Sequence, residues 1–176
     1  YITISGKRIE EEDFSGIHIR MLYAFEDIEI GSEDTYLIEG YGTKYRKQVK
    51  VALNTIINAK TKKAAISSIN KELTLPKNTS AEDLFNQLKL KHPSIAKYFA
   101  TGIGIELQYT DSQIAEKVIL RLARDDIVAL PVHDSFIVKM SHIKRLKEEM
   151  SKAYEEVLTT EAITDKKESI SKVLEQ

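Results

Sequence analysis

Apolar and polar residues alternate at the start of the chain, where Ile2 and Ile4 interleave with Thr3 and Ser5. A Gly6-Lys7 turn signal and a second short run through Ile9 follow, which predicts an opening strand or hairpin over residues 1–9 with Asp13 at its end. The period then lengthens. Ile17, Met21, Leu22 and Phe25 recur at helical spacing after Ser15 until Gly31-Ser32 interrupts them, and residues 36–43, with two glycines, read as a loop. A clearer helix spans 45–60, where Val49, Leu53, Ile56 and Ile57 form one apolar stripe and Arg46, Lys50, Asn54 and Asn58 a polar one.

Residues 63–73 continue as another helix, 76–80 form a loop, and Ser80 stands as an N-cap for a helix over 81–90. Pro93 restarts the chain near the first turn of a short helix through Tyr98. Gly102 and Gly104 then lead into a long helix over 105–124, with Leu107, Ile114, Val118 and Leu122 as its buried stripe. Residues 127–132 and 136–138 are apolar runs around polar His133-Asp134-Ser135, the pattern of two strands joined by a tight turn. Pro131 cannot donate to a ladder and calls for an edge strand or bulge. Ser141 is expected to cap a helix carrying Ile143, Leu146, Met150 and Val157, and the segment from Thr164 a last helix with Ile170, Val173 and Leu174 inward. Together the elements predict an α+β fold, a small antiparallel sheet with flanking helices.

Composition narrows the chemistry. At 176 residues, 42% hydrophobic and 30% charged, the chain is in the range where one compact domain can bury most of its apolar surface. No run approaches the roughly 18–20 apolar residues that a membrane-spanning helix needs, and the start lacks a secretory pattern, so no membrane partner and a cytoplasmic location are expected. Opening on Tyr1 without a methionine, it reads as a segment of a longer protein. The absence of cysteine excludes disulfides, thiolate metal sites and thiol nucleophiles, leaving carboxylate, carbonyl or imidazole ligands, of which the oxygen donors favour magnesium or manganese. A net charge of -1 lacks the basic surplus usual for nucleic-acid binding. The charges are segregated, however: Glu10, Glu11, Glu12 and Asp13 are acidic, whereas Lys44, Arg46, Lys47, Lys50, Lys60, Lys62 and Lys63 are basic.

Taken singly, an aspartate at a strand end is ordinarily a turn residue, and Arg plus Lys on a helix a solvated face. Their order along the chain carries more. Asp13-Phe14-Ser15-Gly16-Ile17-His18-Ile19-Arg20 resembles the first palm motif of family A DNA polymerases, usually Asp-Tyr-Ser-Gln-Ile-Glu-Leu-Arg. Arg46 and Lys50 keep the spacing of the arginine and lysine in that family's fingers helix. Val132-His133-Asp134 is similar to its third motif, Val-His-Asp, and the preceding helix opens Leu107-Gln108-Tyr109-Thr110, like the family's Met-Gln-Gly-Thr. Ser15-Gly16-Ile17 and His133-Asp134-Ser135-Phe136 also resemble the matching motifs of single-subunit RNA polymerases, built on the same palm.

The resemblance implies a palm in two parts, residues 1–30 and 101–176, around a reduced helical fingers-like region at 31–100. It implies template-directed nucleotidyl transfer to a primer 3′ hydroxyl with two magnesium or manganese ions. Asp13 and Asp134 would be the catalytic carboxylates, with the Phe14 carbonyl as a further metal ligand. Arg46 and Lys50 would hold the triphosphate, His18, Asn54 and Asn58 would complete the nucleotide site, and His133 and Gln108 would contact the primer-template. Its partners would be primer-template nucleic acid, nucleoside triphosphates and the rest of a longer polypeptide or a replication partner, in a phage or other mobile element. The chain departs from the family pattern at His18, where a sugar-gating glutamate is usual, at Gly16 for a glutamine, and at Asn54 and Asn58 for aromatic residues. No segment resembles a thumb or a proofreading exonuclease. Two other readings stand beside it: an RNA polymerase or primase-like polymerase of the same superfamily, and a catalytically inactive nucleic-acid-binding palm.

Overall fold

The computed structural model describes residues 2–31 and 33–158, together with the backbone of Thr164–Lys166. Tyr1, Ser32 and the inward positions Ile170, Val173 and Leu174 lie outside the described residues. The fold is α+β, and the chain divides into two compact units, Tyr1–Ile17 with Tyr109–Gln176, and His18–Gln108.

The first unit is built on a four-stranded antiparallel sheet of β1 (Ile9–Phe14), β2 (Leu130–Val132), β3 (Ser135–Lys139) and β4 (Thr164–Lys166), in the order β2-β3-β1-β4. Ile4 and Lys7 form only an isolated bridge around the opening turn, so the first sheet strand starts later than the alternation suggested. β1 alternates faces as a strand must. Glu10, Glu12 and Phe14 are buried while Ile9, Glu11 and Asp13 are half-buried. The register pairs Glu12 with Phe136 and Asp13 with Ser135. Against the Glu12 and Phe14 face lies α6 (Ile143–Leu158), whose Leu146, Met150, Ala153, Tyr154 and Leu158 are buried. The Phe14 and Tyr154 rings are 5.9 Å apart, and Lys147 Nζ is 2.9 Å from Glu12 Oε1. Ser141 does not cap this helix, because it sits inside a 3-10 turn, Met140–His142, that leads into it.

Thr164–Lys166 is extended rather than helical and pairs with β1, Asp13 opposite Asp165. Propensity placed a helix here because the apolar spacing farther along the chain dominates the local signal, whereas pairing to a strand about 150 positions earlier leaves no local trace. Pro131 sits in β2, at the sheet edge, where its missing N–H costs no ladder bond.

The second unit contains α2 (Arg46–Asn58), α3 (Lys62–Glu72) and α4 (Ala81–Lys91) packed pairwise. Val49, Ala52, Leu53, Ile56 and Ile57 of α2 are buried with Ala65 and Ile69 of α3 and Leu84, Phe85 and Leu88 of α4. Local signals set the helix starts. Thr61 caps α3, and Ser80 and Asp83 form a reciprocal capping box on α4, typically worth about 1 kcal/mol. Of two further helices, α1 (Ile17–Ala24) belongs to this unit from His18 on, whereas α5 (Gly104–Arg124) belongs to it only as far as Gln108 and to the first unit from Tyr109. Among the described residues no helix is long and apolar enough to cross a membrane.

Candidate active site

Two strand ends bring the backbones of Asp13 and Asp134 close together. β2 and β3 pair Val132 with Ser135, which leaves His133 and Asp134 as a two-residue turn. The Phe14 amide donates to the Asp134 carbonyl at 3.1 Å, and Asp13 is the ladder partner of Ser135. Partnered α-carbons in such a ladder are about 4.5–5.5 Å apart, so the backbones of Asp13 and Asp134 lie within one ladder step. His133 is exposed and holds φ 54°, the positive value that a mirror-image hairpin turn requires of its first central residue. Ser135 is fully buried beneath the turn, and its hydroxyl lies 2.5 Å from Glu11 Oε1 and 2.8 Å from the Val132 carbonyl, to one of which it donates.

A third carboxylate faces this turn. Burial, and then the charge of Asp134, push the Asp111 carboxyl up to about 6. Sequence reasoning passed over Asp111 because it sits on α5 beside the buried stripe of Leu107, Ile114 and Val118. That placement was the available signal: an acidic residue abutting an apolar stripe is costly unless something offsets its charge.

The donor set suits a hard divalent cation, because it consists of carboxylate and carbonyl oxygens with concentrated negative charge. Among the described residues no group of three or more His, Asp or Glu side chains is placed to hold a metal ion. Magnesium does not need one, since it is commonly bound through one or two carboxylates, with waters and substrate phosphates filling the rest.

In the second unit Arg46 opens α2 and Lys50 follows one turn later, both exposed. Both side chains meet the ring of Tyr36, with the Arg46 guanidinium carbon 5.1 Å and Lys50 Nζ 5.7 Å from its centroid. Arg46 Nε also donates to Asp34 Oδ2 at 2.5 Å. Burial works against the charged form of Asp34, but the Arg46 contact and the Tyr36 amide outweigh it and hold the carboxyl below its ordinary value. Neither Asp34 nor Tyr36 was singled out from sequence, although Asp is a residue whose carboxylate readily accepts from the amide two positions on in an Asx-turn.

The remaining candidates are placed as follows. His18 is half-buried on α1, two residues after Gly16, whose φ of 60° explains a glycine where the family pattern has a longer side chain. Asn54 and Asn58 are exposed on α2, with the Asn58 amide donating to the Asn54 carbonyl at 2.8 Å. Asn58 Oδ1 would lie 2.0 Å from a Cβ on Gly104, so that glycine admits the close approach. Gln108 is exposed on α5 in the second unit, whereas Asp13, Phe14, His133 and Asp134 belong to the first.

The chain matches no protein-family model and no curated protein sequence.

Proposed function

We propose that this chain is the palm and reduced fingers of a template-directed nucleotidyltransferase, similar to family A DNA polymerases, that extends a primer 3′ hydroxyl. The observation that carries the reading is the adjacency of Asp13 and Asp134 at neighbouring strand ends, with Phe14 hydrogen-bonded to Asp134. Two carboxylates from separate strands are what a two-metal phosphoryl transfer asks of a protein. Asp13, Asp134 and the Phe14 carbonyl would hold magnesium or manganese, which would supply charge neutralisation and a lowered hydroxyl pKa. The rest of the work falls to positioning by the chain itself.

Arg46 and Lys50 grip the triphosphate, Arg as a planar fork and Lys as a flexible point charge. His18 meets the sugar, and Asn54 and Asn58 extend the same helix face towards the nucleotide. His133, exposed on the turn beside Asp134, contacts the primer terminus, and Gln108 the template. Primer-template nucleic acid and nucleoside triphosphates are the partners, met in the cytoplasm, with further polypeptide supplying a thumb.

Primer extension with magnesium tests this. The wild type is expected to extend a primer with deoxynucleotides, and Asp13→Asn and Asp134→Asn to lose about a thousandfold or more, the several kcal/mol that a bound divalent ion supplies. Extension with ribonucleotides alone would transfer the reading to an RNA polymerase or primase-like enzyme. Primer-template binding with no extension would leave a catalytically inactive palm.

A further inference from the structure

Tyr36 is only 6% exposed, yet its ring is the shared floor for two cations of α2. A cation over an aromatic face is held by the ring quadrupole, so Arg46 and Lys50 are presented side by side instead of spreading into solvent. The charge of Arg20 also reaches the Tyr36 hydroxyl, and that of Lys91 reaches Asp34, which adds two cations to the neighbourhood.

Into this neighbourhood the chain puts one of its own carboxylates. Asp34 Oδ1 accepts from the Tyr36 amide at 2.9 Å, closing a local turn, while Oδ2 accepts from Arg46 Nε at 2.5 Å. Two anchors on different oxygens fix its direction. The segment is braced as well, because His92, 3% exposed, meets the Thr35 carbonyl through Nε2 at 3.0 Å and the Tyr23 hydroxyl through Nδ1 at 2.8 Å. A carbonyl can only accept, so Nε2 carries the proton and Nδ1 accepts from Tyr23. Asp34 therefore sits at the guanidinium as a built-in anion.

We infer that Asp34 is a selectivity residue of this anion site, a carboxylate seated on Arg46 that a polyphosphate displaces and a monophosphate does not. The inference rests on the reading of Arg46 and Lys50 as the triphosphate holders. An incoming anion must outcompete an intramolecular ligand at high effective concentration. A polyphosphate brings more charge and spans two cations one helical turn apart. Orthophosphate engages one of them and loses to Asp34.

Calorimetry on the full chain without metal, titrating sodium tripolyphosphate and then orthophosphate, tests this. Asp34→Asn keeps an acceptor for the Tyr36 amide and so keeps the turn, and Asp34→Ser provides a second variant. Both are expected to bind orthophosphate about tenfold more tightly than the wild type, the worth of a charge-assisted contact, and to gain less for tripolyphosphate. Preference for the longer anion then narrows. If wild-type tripolyphosphate binding is lost in Arg46→Ala, yet neither Asp34 variant gains orthophosphate affinity, Asp34 only positions Arg46 and the inference is overturned. If tripolyphosphate binding is absent, or indifferent to Arg46→Ala and Lys50→Ala, the triphosphate reading fails and the inference with it.

Discussion

Lys147 on α6 places its ammonium 2.9 Å from Oε1 of Glu12, a carboxylate with no exposed surface, one residue before Asp13. Neither oxygen of Glu12 makes a hydrogen bond among the described residues, so Lys147 meets its charge only as an ion pair. A buried carboxylate is tolerated only while its cation stays. Lys147→Ala is expected to destabilise the fold by about 3–5 kcal/mol, and adding Glu12→Gln to recover a good part of that. Urea unfolding of both variants measures it, and an unchanged midpoint in the single variant would show that water already reaches Glu12.

The hairpin turn separates stability from function. His133 holds a positive φ of 54°, a conformation that costs an L residue about 1–2 kcal/mol and glycine nothing. His133→Gly should therefore leave the unfolding midpoint unchanged or raise it, by up to about 1 kcal/mol. Primer extension should fall in the same variant. Full extension activity would remove His133 from the primer contact.

At the proposed metal site, manganese binding followed by calorimetry is expected to disappear in Asp13→Asn and Asp134→Asn, because an amide cannot supply the charge that a divalent ion requires. Asp111→Asn is expected to keep that binding, since Asp111 faces Asp134 without belonging to the proposed ligand pair. Retained affinity in the first two variants would dissociate the carboxylate pair from metal binding.

His92 gives a pH signature. Burial, with the charge of Lys91 in support and the Thr35 bond opposing, lowers its pKa from the ordinary 6.5 to about 4. Between those values the unfolded chain takes up a proton that the folded chain refuses, so stability falls as pH falls through that window. The loss amounts to on the order of 3 kcal/mol by pH 4. Asp111, raised to about 6, works in the opposite direction, so the comparison must be with His92→Gln. The stability of that variant relative to wild type should rise steadily from pH 7 to pH 4, as read from urea midpoints. A constant difference would mean that His92 is not held neutral.

On the proposed reading, sugar choice would turn on position 18. His18 is half-buried rather than walled in, and Gly16 beside it adds no side chain. A deoxynucleotide preference weaker than the family pattern is expected, because the imidazole excludes a 2′ hydroxyl incompletely and can also hydrogen-bond it. The ratio of kcat/KM for dATP over ATP should rise in His18→Glu and fall in His18→Ala, and an unmoved ratio in both would clear the position of any role.

What could be read from the chain alone followed the range of the interactions. The stripe of Val49, Leu53, Ile56 and Ile57, the Ser80 cap and the long α5 stripe are local, and each was legible because its cause lies within a turn or two. The turn carrying His133 and Asp134 was legible too, bounded by apolar runs, although Ser135 belongs to the strand and not to the turn. Pairing of Thr164–Lys166 with β1, the placement of Asp111 towards Asp134, and the seating of Asp34 on Arg46 depend on residues remote in sequence. Ser141 failed as a cap because a 3-10 turn already encloses it.

The first unit is sewn from both ends of the sequence: Ser135 meets Glu11 across a separation of 124 residues, while the second unit, His18–Gln108, is continuous. Closing so long a loop is entropically costly and slow compared with forming neighbouring helices. During synthesis the continuous helical unit can therefore gain structure while β1 still waits, unpaired, for β3. Its acidic run, Glu10 to Asp13, keeps that waiting strand soluble, since like charges on an open edge repel other strands. The two aspartates meet only when the hairpin has left the ribosome, so a nascent or truncated chain carries every local motif of the first half and no paired carboxylates.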